Sequence, residues 1–253
     1  MERVALQLYS VRDDLLQDPA KAIDRVREIG FATVEAMYWP DMLPIASLAS
    51  CLDQSGIGTC SLHVPLPNPE NIASLADAAG MLGTREVVWH GWPRDPRHNS
   101  MDGVLELASI YRDAAELAAQ HGMHLSLHNH WWEFQPIPDS QEMVRPIDVW
   151  MPLLADSIGY ELDTYWIAVA GANPVDELKA LAASPRLIHL KDGPGNTDGA
   201  KTPLGTGILP LADLAETISA ETWKIVEMDD CDSDLWIALE QSHRTLIGYI
   251  PHG

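Results

Sequence analysis

The chain has 253 residues, 46% of them hydrophobic, and a formal net charge of −21 from 16 Lys and Arg against 37 Asp and Glu. This composition excludes an intrinsically disordered chain or a small disulfide scaffold, and so acidic a surface disfavours nucleic acid and anionic membranes as partners. Because we find no stretch of roughly 20 apolar residues, no signal peptide and an odd number of cysteines (Cys51, Cys60, Cys231), we expect a cytoplasmic protein.

A short β-rich run followed by a loop and an amphipathic helical stretch recurs along the chain. Among the helical stretches we predict are Asp102–Gln120, Pro174–Ala183 and Asp234–Ile247. Eight such alternations in a chain of this length predict a closed (β/α)8 barrel, one domain over residues 1–253. An open doubly wound sheet is the alternative, but no glycine-rich nucleotide-binding motif follows the first strand. The predicted strands are Val4–Tyr9, Ala32–Met37, Gly58–Val64, Glu86–Trp92, His124–His130, Gly159–Thr164, Arg186–Lys191 and Trp223–Met228.

The alternation of polar and apolar residues predicts which side chains face the barrel axis. In strand seven, Ile188 and Leu190 suit the helix layer, so Leu187, His189 and Lys191 point inward. The same rule turns a set of polar residues inward on the other strands, near the carboxyl ends where active sites of such barrels lie. These are Glu35, His63, His90, Ser126, His128, His130, Glu161, Asp163 and Glu227.

Carboxylates and imidazoles that converge on one axis require compensation, because buried charges of one sign are costly. A divalent cation supplies it most simply, and oxygen and nitrogen donors without sulfur suit Mn²⁺, Mg²⁺, Co²⁺ or Zn²⁺. Asp163, His189 and Glu227 are the leading candidates as ligands. The segment from His128 to Glu133 adds a dense polar group where strand five ends.

Other residues near these strand ends are candidate substrate contacts. His63 and His90 can equally be hydrogen-bonded core or rim residues, and Glu35 can equally pair with a neighbouring cation. Aromatic side chains could stack on the apolar faces of a sugar ring or simply pack their loops. These aromatic candidates are Trp131, Trp132, Tyr165 and Trp166.

The loop after strand eight is acidic, with Asp229, Asp230 and Asp232. Phosphate-binding barrels generally use the loops after strands seven and eight, and these carboxylates would repel a phosphate. The turn Gly205–Gly207 could form an anion-binding nest or be a plain turn. We therefore expect an unphosphorylated substrate.

Six segments in order along nearly the whole chain resemble the xylose isomerase-like barrel superfamily, the sugar phosphate isomerase/epimerase family. They are Leu6–Arg12, Leu127–Phe134, Glu161–Trp166, Ile188–Gly193, Pro203–Gly207 and Val226–Glu227.

The resemblance implies one divalent metal, commonly Mn²⁺, held by Glu, Asp, His and Glu from strands five to eight. Asp163, His189 and Glu227 match the last three ligands. Where many relatives carry a glutamate in strand five this sequence has His128, so we take Glu133 as the fourth ligand, with His128 or His130 as alternatives. Lys191 matches a position that often contacts substrate oxygens.

The chemistry that members of the superfamily share is proton abstraction next to a carbonyl, through an enediolate, on a sugar or cyclitol. We predict an isomerase or epimerase in which Glu133 and Glu227 flank the substrate and His128 or His130 carries a proton. A lyase using the same site, an inosose-type dehydratase or 3-keto-glycoside deglycosidase, is the first alternative. Metal-dependent hydrolases, including the endonuclease IV type, and non-catalytic sugar-binding barrels also remain open. Nine tryptophans permit a homo-oligomer without requiring one.

Overall fold

Eight parallel strands close into a barrel in the computed structural model, which describes residues 3–140, 142–181 and 184–249. Each strand pairs with the next along the chain, and the eighth pairs with the first, through Ala5 opposite Ile225 for example. The predicted (β/α)8 barrel is therefore confirmed. The strands are β1 Val4–Gln7, β2 Thr33–Met37, β3 Gly58–Val64, β4 Glu86–Trp89, β5 His124–His128, β6 Gly159–Asp163, β7 Leu187–Leu190 and β8 Trp223–Val226.

Helices follow every strand and form the outer layer. The long helix predicted over residues 102–120 is present, and Asn173 caps the helix that begins at Pro174 by accepting a hydrogen bond from the Val175 amide. That helix ends at Ala180, and residues 182 and 183 of its predicted span lie outside the described part of the chain. The helices are α1 Arg12–Gln17, α2 Pro19–Ile29, α3 Ile45–Ser55, α4 Ile72–Met81, α5 Met101–Gln120, α6 Pro146–Leu154, α7 Thr164–Val169, α8 Pro174–Ala180, α9 Leu211–Thr217 and α10 Leu235–Tyr249.

Most strands end one to three residues earlier than the sequence predicted. Strand β5 stops at His128, so His130 belongs to the following loop rather than to the strand. Strand β6 stops at Asp163, because this carboxylate already caps α7 by accepting hydrogen bonds from the amides of Tyr165 and Trp166. The site residues past these points are carried by loops.

The predicted alternation of faces is confirmed by packing. Leu187 and Ile225 join Ala5, Cys60 and Val88 in a small apolar cluster. Ile188 and Leu190 pack instead in the large core shared with the helices. Polar inward residues therefore lie toward the carboxyl end of the barrel. Within the described residues, no helix has both the length and the hydrophobicity to cross a membrane.

Candidate metal and substrate site

Three of the four residues predicted as metal ligands come together where β6, β7 and β8 end. One donor atom each from Asp163, His189 and Glu227 lies within 4.8 Å of the others, and all three side chains are buried. His189 Nδ1 is 2.7 Å from Glu227 Oε2 and 4.0 Å from Asp163 Oδ2. We call these three residues the ligand group.

One oxygen of Asp163 points into the ligand group without a hydrogen bond. Its Oδ1 accepts from the amides of Tyr165 and Trp166, both at 3.0 Å, whereas Oδ2 accepts no hydrogen bond although Lys191 Nζ is 3.0 Å away. Burial raises the pKa of Asp163. A buried carboxylate oxygen that accepts no hydrogen bond and lies beside an imidazole and a second carboxylate fits a divalent cation.

Lys191 adds a positive charge beside the ligand group, where Glu161, Glu227 and Glu35 already outweigh burial and hold the pKa of His189 well above its usual value. The Lys191 ammonium is 2.8 Å from Glu227 Oε2 and 3.1 Å from Asp229 Oδ1, as well as close to Asp163. Burial opposes its charge, but the three carboxylates outweigh burial and hold the pKa of Lys191 well above its usual value. The pKa of Glu227 is lowered despite burial, by Lys191 and His189. A metal ion would therefore share Asp163 and Glu227 with this lysine.

Glu133 does not join the ligand group. A short 3₁₀ turn over Trp132–Phe134 directs its carboxyl back to its own loop, where Oε2 accepts a hydrogen bond of 2.9 Å from the His130 amide. Its other oxygen lies 3.8 Å from His98 Nε2. Burial raises the pKa of Glu133 to about 8. The position does not support the predicted role of Glu133 as ligand or as a group that flanks the substrate.

His128 approaches the ligand group from β5. Its Nε2 lies 3.8 Å from Asp163 Oδ2, and its Nδ1 lies 3.0 Å from Glu161 Oε2. Burial, followed by the charge of His189, holds the pKa of His128 well below its usual value, so the ring is neutral. His128, the strand-five alternative to Glu133, therefore lies nearer to the ligand group than Glu133 does but outside its 4.8 Å cluster.

Glu35 lies below the cavity rather than in it. This glutamate on β2 is fully buried and receives hydrogen bonds from Gln7 Nε2 at 2.7 Å and Ser61 Oγ at 2.5 Å. Its Oε1 is 2.6 Å from His189 Nε2. The predicted substrate contact through Glu35 is not supported, because its carboxylate is already bonded to neighbouring side chains deep in the barrel.

A cavity of about 660 Å³ lies at the carboxyl end of the barrel, lined by Glu227 of the ligand group but not by Asp163 or His189. Most of the predicted substrate contacts line it, together with the candidate proton carriers and Glu227. Trp132 and Tyr165 do not, because Trp132 packs behind the wall and stacks on His130, and the Tyr165 hydroxyl is bound to the backbone of Gly195 and Asn196. The predicted residues on the cavity wall are His63, His90, His128, His130, Trp131, Trp166, Lys191 and Glu227.

The wall histidines carry different charges, because burial disfavours charge on all of them but only His63 is compensated by two buried glutamates. Burial and then the charge of His63 lower the pKa of His90 to about 4, and burial and Lys191 hold that of His130 well below its usual value. Burial also disfavours charge on His63, but Glu35 and Glu161 outweigh it and raise the pKa of His63 to about 10. At neutral pH the cavity therefore has neutral His90 and His130 and a cationic His63.

Several wall residues were not predicted from the sequence. Lys201 is buried, with Nζ 4.8 Å from the Trp166 ring centre and 3.6 Å from Asp229 Oδ2. It reaches the wall because a bridge between Lys201 and Cys231 joins the loops after β7 and β8. Alternation along the strands, from which the site residues were predicted, does not identify residues carried by loops. The aromatic ones are Tyr9, Tyr38, Trp39 and Trp92.

The Gly205–Gly207 turn is an anion nest filled by the chain itself. The Asp192 carboxylate accepts hydrogen bonds from the amides of Gly193, Gly205, Gly207 and Leu209, at 2.9 to 3.0 Å. A Cβ on Gly207 would lie 2.2 Å from Asp192 Oδ1, so only glycine fits there. This turn is therefore already occupied by an internal carboxylate.

Residues 23–246 match the family model described as the xylose isomerase-like TIM barrel. The chain belongs to this family. No curated protein matches the sequence. Among solved structures, a sugar phosphate isomerase/epimerase from Parabacteroides distasonis superposes with a TM-score of 0.81 at 19% identity, over 99% of this chain and 96% of that one.

Two further solved structures share this fold. The probable 3-DHS dehydratase AsbF from Bacillus anthracis gives a TM-score of 0.72 at 18% identity, covering 97% of this chain and 98% of that one. The IolI protein with a bound zinc atom gives 0.69 at 13% identity, covering 100% of both chains. At these identities the likeness establishes the fold, so the reaction is argued from the site.

Proposed function

We propose that this member of the xylose isomerase-like family is a divalent-metal-dependent sugar isomerase or epimerase. It removes a proton next to the carbonyl of an unphosphorylated keto-sugar or related polyol. The observation that carries the proposal is the ligand group of Asp163, His189 and Glu227, buried beneath an aromatic-lined cavity. Metal-bound IolI, on the same fold, supports one cation here, with Mn²⁺, Mg²⁺, Co²⁺ and Zn²⁺ as candidates.

The ligand group would hold the cation through Asp163 Oδ2, His189 Nδ1 and the Glu227 carboxylate. When bound there, the cation would polarise the substrate carbonyl and stabilise the negative charge of the enediolate. The Asp163 oxygen that accepts no hydrogen bond and the mixed carboxylate and imidazole donors fit this role.

Two side chains on the cavity wall suit proton transfer. Glu227 is ionised and can accept the α-proton, and neutral His130 can accept a proton and, as the imidazolium so formed, return it to the substrate or deliver it to a leaving group. Lys191 would hold a substrate oxygen through its ammonium. Trp131 and Trp166 would orient the sugar ring by stacking.

The absence of phosphate from the substrate is supported by two features. The Gly205–Gly207 nest is filled by Asp192. Lys191 and Lys201 both face Asp229, which lines the cavity together with Asp230. A phosphate there would meet cations already neutralised and carboxylates that repel it.

The dimensions of the cavity favour a second candidate, a 3-keto-glycoside deglycosidase using the same proton abstraction. A cavity of about 660 Å³ is of the size that buries drug-sized ligands, roughly 300–1,000 Å³, and one sugar ring would fill only a part of it. Tyr9, Tyr38 and Trp39 line one side, away from the tryptophans of the opposite loops, and could hold the group attached to the sugar.

The proposal is tested by incubating protein loaded with Mn²⁺ or Zn²⁺ in D₂O with a panel of ketoses, inososes and 3-keto-glycosides. NMR follows deuterium uptake and products. Metal-dependent α-deuteration that is lost in Asp163→Ala and Glu227→Ala supports enediolate chemistry, and the product separates epimerisation from elimination. No exchange across the panel by protein with bound metal would overturn it.

A further inference from the structure

Two fully buried glutamates, Glu35 on β2 and Glu161 on β6, lie below the ligand group and outside the proposed reaction. His63 joins them, with Nε2 at 2.7 Å from Glu161 Oε2 and 3.1 Å from Glu35 Oε1. Buried carboxylates are costly to maintain unless they are paired. Their contacts therefore indicate what they do for the site above.

Each glutamate contacts an imidazole whose other nitrogen faces the ligand group. Glu35 Oε1 is 2.6 Å from His189 Nε2, while Nδ1 of the same ring faces Glu227 at 2.7 Å. Glu161 Oε2 is 3.0 Å from His128 Nδ1, while Nε2 of that ring faces Asp163 Oδ2 at 3.8 Å. Both rings are thus held from below, and Glu161 contacts both of them, since its Oε2 also lies 3.2 Å from His189 Nε2.

We propose that His128 Nε2 is the fourth ligand of the metal site and that Glu161 is its positioning residue. Glu161 accepts the Nδ1–H of His128, which fixes the tautomer whose Nε2 lone pair faces the site; Glu35 does the same for His189 through Nε2–H. Carboxylates that orient metal-binding histidines in this way are a general feature of metal sites. The inference rests on the metal-dependent function proposed above.

This ligand set changes which metal the site prefers. Two imidazoles and two carboxylates carry one negative charge fewer than the one imidazole and three carboxylates that the family pattern implies. Imidazole donors favour Zn²⁺ and Co²⁺, whereas all-oxygen surroundings suit Mg²⁺ and Mn²⁺. We therefore expect this protein to select Zn²⁺ or Co²⁺ over Mn²⁺ more strongly than a site with a strand-five glutamate would.

The alternative is that these buried residues below the ligand group bind a second metal ion. Donor atoms of His63, His128, Glu161 and His189 lie within 4.8 Å of one another, and Glu161 Oε1 has no hydrogen bond. Against it, His63 already bridges both glutamates, and the facing oxygens and nitrogens are 2.6 to 3.2 Å apart in hydrogen-bonded contacts. The number of metal ions bound per chain distinguishes a second metal site from a positioning role for Glu161.

The direct test is X-ray absorption spectroscopy of the wild-type protein loaded with Zn²⁺, with metal content measured by mass spectrometry. The expected result is one Zn²⁺ per chain with two imidazole ligands. One imidazole would overturn the assignment of His128 while leaving enediolate chemistry intact. Two Zn²⁺ per chain, one of them lost in Glu161→Gln, would make Glu161 a ligand of a second metal instead.

Variants test the positioning role through metal affinity, measured by competition with a chromophoric chelator, and through the Co²⁺ absorption spectrum. Glu161→Gln should weaken Zn²⁺ binding by about 10- to 100-fold and alter the Co²⁺ spectrum. Glu133→Gln, the same change at another buried glutamate, should do neither. His128→Glu should raise the ratio of Mn²⁺ to Zn²⁺ affinity. Unchanged affinity and spectrum in folded Glu161→Gln, or their loss in Glu133→Gln alone, would overturn the proposal.

Discussion

Lys191 Nζ lies 2.8 Å from Glu227 Oε2, so an ammonium group stands beside a carboxylate predicted to bind metal. The same ammonium is 3.0 Å from Asp163 Oδ2. Lysine therefore has two opposing effects on the site. It lowers the repulsion between the carboxylates, and it would compete with a bound metal for them.

Replacing this lysine should separate the two effects. We expect Lys191→Met to bind Zn²⁺ at least about tenfold more tightly, since a unit charge at 4 Å contributes roughly 1–4 kcal/mol. The rate of α-deuteration should fall by about 10²-fold, because a donor to the substrate oxygen is lost. Chelator competition and NMR measure the two quantities.

Lys201→Met is the matched control for this prediction. Lys201 is equally buried and lies over the Trp166 ring, but its ammonium reaches Asp229 and Asp230 rather than the ligand group. Its removal should leave Zn²⁺ affinity unchanged. Weaker Zn²⁺ binding in Lys191→Met would show that the lysine supports the metal site instead of competing with the metal.

The adjacent tryptophans Trp131 and Trp132 should respond differently to substitution. Trp131 lines the cavity, so Trp131→Ala should raise KM about 5- to 30-fold through loss of ring stacking, with little change in Tm. Trp132 is buried behind His130, so Trp132→Ala should cost about 3–5 kcal/mol of unfolding free energy. Steady-state kinetics and urea unfolding distinguish them, and equal KM values in wild type and Trp131→Ala would exclude stacking on Trp131.

Glu133 should make stability fall as pH rises. Its pKa is about 8 in the folded protein, above the value of 4.5 for an unperturbed glutamate, so the folded state holds a proton that the unfolded state has lost. Between these values this residue should contribute a loss of up to about 1.4 kcal/mol per pH unit, levelling off above pH 8. Glu133→Gln mimics the protonated form and should remove this contribution.

The measurement is the free energy of unfolding in urea at pH 5, 7 and 9 for the wild type and Glu133→Gln. The difference between the two proteins should widen in favour of the variant from pH 5 to pH 8. A difference that is constant with pH would show that Glu133 is ionised in the folded protein.

Asp192 should be required for the order of the loop after β7. Asp192→Asn replaces an oxygen that accepts backbone hydrogen bonds with an amide that cannot, at a buried position. We expect a loss of about 2–4 kcal/mol in stability and faster amide exchange at Gly205, Gly207 and Leu209. Gly207→Ala should show the same exchange pattern because its Cβ would meet Asp192. Retained protection in both variants would contradict this role.

The sequence predicted the barrel and the ligand group because both depend on short-range patterns. Alternation along β7 fixed the directions of Ile188 and His189, and parallel strands bring their carboxyl ends together in any closed barrel. Strand order alone therefore placed Asp163, His189 and Glu227 at one end.

Loop geometry was not predictable in the same way. Glu133 turns away from the site because a 3₁₀ turn follows His130, and periodicity carries no information about such a turn. Glu161 was predicted to point inward but was given no role, since its role depends on its hydrogen bonds with His128 and His63. Lys201 reaches the cavity only through pairing between two loops.

Removing the metal tests whether a cation at Asp163, His189 and Glu227 enables proton abstraction. A substrate that exchanges its α-proton in D₂O is followed by NMR with native protein, after chelation, and after one equivalent of Zn²⁺ or Mn²⁺ is restored. We expect exchange to stop on chelation and to return with the metal in wild type, but not in Asp163→Ala. Undiminished exchange by demonstrably metal-free protein would contradict it.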